Sequence, residues 1–297
     1  MTALTRHGRY DYSAITDRPD YAWPGGKRLA VYVGLNLEHF AFGEGLGAEL
    51  APGGPQPDVL NYAWRDYGNR VGAWRMLEMF EALDMPVSVL ANSAMYDYAP
   101  DLMAAYSARG DEVVGHGRTN AERQSVLAEE EEAALIAEAT EVLTRAEGKA
   151  PKGWLSPWIA ESHATPDLLK AAGYGYTLNW CMDDQPVWMR TTHGPLLSIP
   201  YPQEANDIPS IVARKDGAEA FAHIVRETFD EMREQAARQP LVMGIALHPY
   251  LVGQPHRLRA LRRVLQHICA HRDDIWLTRA GDIFDFCLTC DAIPAPE

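Results

Sequence analysis

The sequence predicts an α/β fold in which parallel strands alternate with helices around a closed or nearly closed barrel. Short apolar runs rich in β-branched residues recur along the chain, and most are continuous, which is typical of strands buried on both faces. Segments with a 3.6-residue apolar period lie between them. About seven or eight such units in one chain favour a barrel, with an open doubly wound sheet as the alternative.

The predicted strands are apolar runs bounded by polar or turn-forming residues. In chain order they cover residues 29–37, 86–91, 112–115, 153–155, 175–178, 196–199, 242–247 and 275–278. The carboxyl ends of parallel strands meet at one mouth of a barrel, so we expect the functional side chains there.

Amphipathic segments predict the helices between these strands. Apolar stripes run through 74–83, 135–143, 221–232 and 258–268, and an acidic first turn at 129–132 suits the start of the second helix. We interpret these stripes as faces that pack on the sheet.

Composition excludes several classes of partner. A net charge of −14 argues against nucleic acid and against an anionic membrane, since both would repel the surface. The first ten residues lack an apolar signal core, and no run approaches the ~18 apolar residues of a membrane span, so we expect a cytoplasmic protein. Four cysteines are too few for a disulfide scaffold in 297 residues. We therefore expect a small-molecule substrate as the partner, and leave a homo-oligomer open.

Polar side chains follow several predicted strands directly. The first strand runs into Glu38 and His39, the third into His116 and Asn120, the seventh into His248, and a short connection after the fifth leads to Asp183 and Asp184. We predict that Glu38, His39, His116, Asp184 and His248 converge around one cavity.

Five short motifs occur in a characteristic order along the chain. They are Glu38-His39, His116-Gly117, Gly-Trp-Leu-Ser-Pro at 153–157, Asp-Asp-Gln-Pro at 183–186, and Leu247-His248. This order resembles that of the polysaccharide deacetylases, the carbohydrate esterase family 4 group.

Further motifs resemble the branch of that superfamily that contains allantoinases and cyclic-imide hydrolases. They are Trp-Pro-Gly-Gly at 23–26, Tyr-Gly-Asn-Arg-Val-Gly at 67–72, Pro200-Tyr201, Asn206-Asp207, and 247–255 with Arg257. The resemblance implies a distorted (β/α) barrel of about seven strands. It also implies one catalytic domain over 1–297, with a core at about 23–285 and an N-terminal arm at 1–22.

The resemblance also implies roles for individual residues. Glu38 matches the catalytic base, His39 the metal-binding aspartate, His116 the first metal-binding histidine, and His248 the general acid. Asn120 stands where the second metal-binding histidine should be. The implied cofactor is one divalent metal, zinc first, held by His39, His116 and Asn120. Because asparagine is a poor zinc ligand, two other interpretations are open: Glu38 ligates the metal instead, or the site holds no metal.

Without a metal, hydrogen-bond donors must stabilise the oxyanion, and protonated His248, His116 and backbone N–H groups are candidates. Either Glu38 or Asp184 would activate the water, the pKa of Asp184 being raised by Asp183 and by burial. The predicted substrate-binding residues are Trp154, Ser156, Trp188, Tyr250 and Arg118.

The first functional hypothesis is a hydrolase that cleaves a non-peptide carbon–nitrogen bond of a small amide, imide or ureide. The second is a metal-dependent deacetylase of an N-acetyl sugar or related conjugate. The third is a catalytically inactive member that binds a ligand, which rests on the asparagine at position 120.

Overall fold

The fold is organised around one curled sheet. The computed structural model describes residues 5–295. Within that range the strands are β1 Leu29–Leu37, β2 Ser88–Ala91, β3 Glu112–Gly115, β4 Gly153–Trp154, β5 Tyr176–Thr177, β6 Val187–Met189, β7 Leu196–Ser198, β8 Leu241–Leu247 and β9 Trp276–Thr278. Their order is β6-β7-β5-β4-β3-β2-β1-β8, and β9 pairs with β1.

The predicted fold class is confirmed. All eight predicted strands are present, and every pairing is parallel except that of β6 with β7. The sequence interpretation missed β6, a short antiparallel edge strand. The sheet curls into a half-barrel and does not close strand to strand. Along β8, backbone N–H groups of Val242 and Ala246 instead donate to the loop carbonyls of Asp184 and Ala205, at 2.8 and 3.0 Å.

Strand β1 is buried along its whole length and has two differently packed faces. Its odd-numbered side chains, such as Val31 and Val33, lie in the large core beneath the helices. Ala30 and Tyr32 lie in the second core, inside the curl of the sheet. Since side chains alternate along a strand, even-numbered residues just beyond β1 are directed to the inner face.

The helices pack mainly on the outer face of the sheet. They are α1 Val59–Tyr67, α2 Ala73–Ala82, α3 Met95–Tyr98, α4 Pro100–Ala108, α5 Glu129–Glu147, α6 Thr165–Ala171, α7 Ala218–Gln235, α8 Pro249–Val252, α9 Pro255–Ala270 and α10 Ala280–Cys287. Helix α10 is the exception, since it contributes Ala280 and Ile283 to the core inside the curl. The four predicted amphipathic segments correspond to α2, α5, α7 and α9. Among the described helices, none combines the length and the apolar character that crossing a membrane requires.

The described part of the N-terminal arm is tied to the surface by two arginines. Arg9 forms an ion pair with Asp167 at 2.6 Å, and the Arg18 guanidinium donates hydrogen bonds to both carboxylate oxygens of Asp183 at 2.7 Å. The arm therefore lies against the loops after β5 and around α6. The division into a core at about 23–285 and an arm stays a prediction.

Candidate active site

A cavity of about 140 Å³ lies at the carboxyl ends of the strands. Four adjacent strands, β3, β2, β1 and β8, run into His116, Asn92, Glu38 and His248 respectively. Six of the cavity's lining residues carry polar groups that bear on its chemistry: Glu38, His116, Asn120, Ser156, His248 and Tyr250. The parallel topology thus brings distant parts of the chain to one place.

Glu38 enters the cavity because of the alternation along β1. Asn36, Glu38 and Phe40 all line it, which is the two-residue period of an extended chain. The Glu38 side chain is buried, and its Oε1 accepts a hydrogen bond from Asn120 Nδ2 at 2.7 Å. Its Oε2 is also buried but has no hydrogen-bond partner among residues 5–295. A buried carboxylate oxygen without a donor is costly, and a bound polar ligand can supply one.

His116 is held in one orientation by its own backbone surroundings. Its Nδ1 donates to the carbonyl of Leu155 at 2.7 Å, and its Nε2 lies 3.4 Å from Glu38 Oε1. The next residue, Gly117, has φ of +67°, and a Cβ there would lie 2.7 Å from Pro157. A glycine is therefore required for the turn that follows His116.

His248 is paired with a buried aspartate. Asp207 accepts hydrogen bonds from the backbone N–H of His248 at 2.7 Å and from its Nδ1 at 2.6 Å. The hydrogen on Nδ1 leaves Nε2 facing the cavity, 3.6 Å from Glu38 Oε1. Burial lowers the pKa of His248, but the carboxylates of Asp207 and Glu38 outweigh it and the net pKa is raised. Burial raises the pKa of Asp207, although its contacts with His248 oppose that shift.

The segment after His248 is fixed by close backbone packing. A π-helical turn at Gly68–Gly72 lies directly against α8. A Cβ on Gly68 would lie 2.7 Å from the backbone nitrogen of Tyr250, and one on Gly72 would lie 2.2 Å from the carbonyl oxygen of Pro249. Burial, with the nearby Glu38 and Asp207 carboxylates, raises the pKa of Tyr250, so its hydroxyl keeps its proton.

One wall of the cavity has a strained backbone. Trp158 and Ile159 both adopt left-handed φ values, of 62° and 53°. Such conformations cost on the order of 1–3 kcal/mol each and cluster at functional sites. The indole N–H of Trp158 donates to the carbonyl of Asn120 at 2.9 Å, which holds the ring at the cavity mouth.

The structure places Asp184 far from this cluster. Its backbone carbonyl accepts from Val242, near the start of β8, whereas His248 follows the end of β8. Six residues at about 3.3 Å each separate the two positions by about 20 Å. Burial and Asp183 do raise the pKa of Asp184, as predicted, but the loop carries it toward the amino end of the sheet. The prediction that Asp184 shares the cavity with Glu38 is therefore corrected.

His39 also lies outside the cavity. It is adjacent to Glu38, so the alternation that directs Glu38 inward directs His39 to the other side. Its ring packs on Tyr98, with centroids 4.6 Å apart, and lines a separate small cavity with Asp66. Burial lowers its pKa, although Asp66 acts in the opposite direction.

Three of the predicted substrate-binding residues have other positions. Trp154 is completely buried, and its indole N–H donates to Gln124 and Ser156, so it supports Ser156 from behind. Trp188 lies on the edge strand β6, and its indole donates to the carbonyl of Ile293. The Arg118 guanidinium pairs with Glu122 and Glu138 on the surface. Ser156 and Tyr250 do line the cavity.

The sequence reasoning assigned no role to Asp207. Its only signal was the Asn206-Asp207 pair quoted for the resemblance. A carboxylate that contacts a strand-end histidine from another loop leaves no mark in periodicity or spacing. Tyr201 was missed in the same way, although it lines the cavity and its hydroxyl accepts from Asn36 at 3.0 Å.

Comparisons with known proteins find relatives in one superfamily. The sequence matches no family model. A Schizosaccharomyces pombe protein named "Putative polysaccharide deacetylase" is 25% identical over 283 residues, covering 87% of this chain and 85% of the relative. The crystal structure of Puue allantoinase aligns with a TM-score of 0.83 and 27% identity, over 96% of this chain and all of that one. The crystal structure of a "probable Polysaccharide deacetylase" from Pseudomonas aeruginosa PAO1 aligns with a TM-score of 0.83 and 28% identity. That alignment covers 93% of this chain and 96% of the other.

In sequence and in fold the chain is similar to proteins of the polysaccharide deacetylase superfamily. The predicted resemblance is thereby confirmed, and with it the class of hydrolases that act on carbon–nitrogen bonds other than peptide bonds. The relatives carry both deacetylase and allantoinase names, so the resemblance leaves the substrate open.

The metal site implied by the superfamily resemblance does not fit the residues of this cavity. His39 faces a different cavity, and Asn120 donates its amide N–H to Glu38. Within the described chain, the group of three His, Cys, Asp or Glu side chains whose ligand atoms lie within 4.8 Å of one another is elsewhere, at Asp230, His267 and His271. The set His39, His116 and Asn120 is therefore not assembled as ligands.

Proposed function

We propose that this protein hydrolyses the carbon–nitrogen bond of a small amide, imide or ureide. The observation that supports the proposal best is the pairing of an open carboxylate with an aspartate-backed histidine. Glu38 keeps Oε2 without a protein donor among the described residues, and His248 Nε2 lies 3.6 Å from the other oxygen of the same carboxylate. A base and an acid side by side suit the two proton transfers of amide hydrolysis.

The proposed reaction uses Glu38 as base and His248 as acid. Glu38 Oε2 accepts a proton from water as the water oxygen bonds to the carbonyl carbon. His248, protonated at Nε2, donates its proton to the leaving nitrogen as the carbon–nitrogen bond breaks. The products are a carboxylic acid and an amine, or an amide or urea when the substrate is an imide or ureide. The proton on Glu38 then returns to solvent or to His248. Asp207 holds the imidazole and favours its protonated form.

Stabilisation of the oxyanion falls to donors at the strand ends. The imidazoles of His116 and His248 lie 3.4 and 3.6 Å from Glu38 Oε1, on the residues that follow β3 and β8. Both therefore border the region where a carbonyl carbon must sit to be reached by water at Glu38. The raised pKa of His248 favours its protonated form, and a charged donor is the stronger kind for a developing oxyanion.

The size and walls of the cavity support a small substrate. A volume of about 140 Å³ is below the range of about 300–1,000 Å³ typical of drug-sized ligands. The flat ring of Trp158 and the phenol of Tyr250 suit the faces of a planar cyclic amide. The structural match to an allantoinase, at 27% identity, supports the same substrate class.

A second candidate is deacetylation of a small N-acetyl compound. The names of the Schizosaccharomyces pombe and Pseudomonas aeruginosa relatives favour it. The same Glu38 and His248 would act on an acetamide carbonyl, so the two candidates share their proton transfers and differ in the substrate. If this chain deacetylates with a metal, activity should require the metal.

The test is a hydrolysis screen of the purified protein over ureides, cyclic imides, formamides and acetylated amino sugars. Each compound is assayed with wild type and with Glu38→Gln, after chelator treatment and again with added zinc. We expect turnover of a ring amide or ureide by the chelated wild type and none by Glu38→Gln. Zinc-dependent release of acetate would favour the second candidate, and no turnover of any compound by wild type would contradict both.

A further inference from the structure

A second cluster of chemically active side chains lies on the outer helices. Asp230 on α7 and His267 on α9 are joined by a contact of 2.7 Å between Oδ1 and Nε2. His271, one turn beyond His267, packs edge to face against it with ring centroids 5.2 Å apart. One ligand atom from each of the three lies within 4.8 Å of the others. Their side chains are about one-third exposed, which leaves them open to solvent ions.

We infer that Asp230, His267 and His271 form a binding site for a divalent transition-metal ion of the zinc type. Two imidazoles spaced by four residues face the same side of a helix, which is the spacing of helical zinc ligands. An aspartate from a neighbouring helix completes three protein ligands, and water can take the fourth position. Nitrogen-rich donors of this kind favour zinc, cobalt or nickel over magnesium or calcium.

The surroundings hold both imidazoles in place. The buried ring of Phe229 contacts His267 and His271, at centroid distances of 5.7 and 5.8 Å. Asp274 Oδ2 lies 3.6 Å from His271 Nδ1, so a carboxylate can orient that ring from behind, as around bound metals. Arg233 lies 3.6 Å from Asp274, so its charge is paired with that carboxylate. Asp230 and Asp274 bring two carboxylates to the imidazoles, which favours a cation.

The cluster lies on the outer helices, so a bound ion there would have a structural role. Asp230 lies in the last third of α7, and His267 and His271 lie at the end of α9. Helices that follow parallel strands run back along the sheet, so these ends lie away from the mouth that holds Glu38. An ion here would clamp α7 to α9, a helix pair with extensive mutual packing. It would raise stability without entering the reaction.

The test is calorimetric titration of the full chain with zinc, in wild type, His271→Gln and His223→Gln. His271→Gln removes one ligand and keeps the contact between Asp230 and His267, so it separates an ion site from a simple hydrogen bond. His223 lies exposed on α7, 3.5 Å from Glu227, and serves as the matched control. We expect one zinc per chain for wild type and His223→Gln. For His271→Gln we expect binding weaker by at least the roughly 10–100-fold that loss of an outer-shell partner costs, because a direct ligand is removed.

Thermal unfolding gives a second readout. Zinc should raise the melting temperature of wild type and of Glu38→Gln equally, and that of His271→Gln much less. Equal zinc affinity in wild type and His271→Gln would overturn the inference, as would no saturable binding at micromolar zinc. Loss of zinc binding in Glu38→Gln with retention in His271→Gln would place the ion in the cavity and also overturn it.

Discussion

Two buried glutamates in this protein have opposite hydrogen-bonding environments. Glu132, at the start of α5, is fully buried, and both of its oxygens are used. Oε1 accepts from Gln124 at 3.1 Å and from Thr165, and Oε2 accepts from Ser162 at 2.6 Å. Glu38 is buried almost as deeply, but its contacts with Asn120, His116 and His248 lie on Oε1, and Oε2 has no hydrogen-bond partner in the described chain.

The difference in hydrogen bonding shows that burial of a carboxylate does not by itself indicate function. A carboxylate with donors on both oxygens is a structural link, here between α5 and the loops at 124 and 162–165. A carboxylate with one free oxygen in a cavity has capacity left for a ligand. We therefore predict that substitution of Glu38 lowers the rate of the reaction, whereas substitution of Glu132 lowers the stability of the fold.

The largest expected effect is on the rate of Glu38→Gln. The amide cannot accept the proton from water, so kcat should fall on the order of 10³-fold, within the range of general-base catalysis. The shape of the side chain is kept, so the melting temperature should stay near that of wild type. Steady-state kinetics and calorimetry measure the two quantities. A variant that retains most of its kcat would show that Glu38 is not the base.

A smaller loss of rate, with a shift in pH dependence, is expected for Asp207→Asn. His248 must be protonated to act as the acid, and its raised pKa keeps it protonated above the ordinary value of about 6.5. Wild-type kcat/KM should therefore fall at a pH above that value. Asp207→Asn removes one of the two carboxylates that raise this pKa, so the falling limb should move to lower pH. We expect kcat to fall on the order of 10²-fold, the lower end of the range for general acid–base catalysis. An unchanged limb would contradict the role of the pair.

Glu132→Ala should instead reduce stability. It leaves the groups of Gln124, Ser162 and Thr165 without their acceptor, which costs about 3 kcal/mol of unfolding free energy. The kcat of the folded variant should stay near that of wild type. Denaturant unfolding measures the stability, with Glu130→Ala, an exposed neighbour on α5, as control. A loss of kcat as large as that of Glu38→Gln would remove the distinction between the two glutamates.

The smallest effect is expected for Asp184→Asn. Asp184 was a candidate base in the sequence, but the structure places it about 20 Å along β8 from His248. We expect kcat/KM within about twofold of wild type, as for a substitution away from the chemistry. A large loss of kcat/KM in the same assay would mean that Asp184 takes part in the reaction.

The strand ends were predictable from the sequence for a physical reason. Continuous apolar runs fix where buried parallel strands lie, and topology then brings the residues after them to one mouth. Glu38, His116, Asn120 and His248 follow from that rule and lie together. Strand β6 was missed because three residues are too few to show the apolar run or the alternation that predicts a strand.

The failures of prediction concern loops and side-chain direction. Asp184 sits on a connection that runs back to the amino end of β8, and no periodicity encodes such a path. The strand-end rule and the resemblance both predict His39 in the site, although its neighbour Glu38 already takes the inward direction. Trp158 and Ile159 depend on left-handed backbone that neither residue type favours, so their place in the wall could not be read from the sequence.

We propose that Glu38 and His248 act as one acid–base unit in the cavity. A double-mutant cycle measures their coupling, with kcat/KM determined for Glu38→Gln, His248→Asn and the double variant on the substrate that the hydrolysis screen returns. The double variant should be about as slow as the slower single variant, because either change already disables the unit. Losses that multiply would show that the two residues act independently and would contradict the claim.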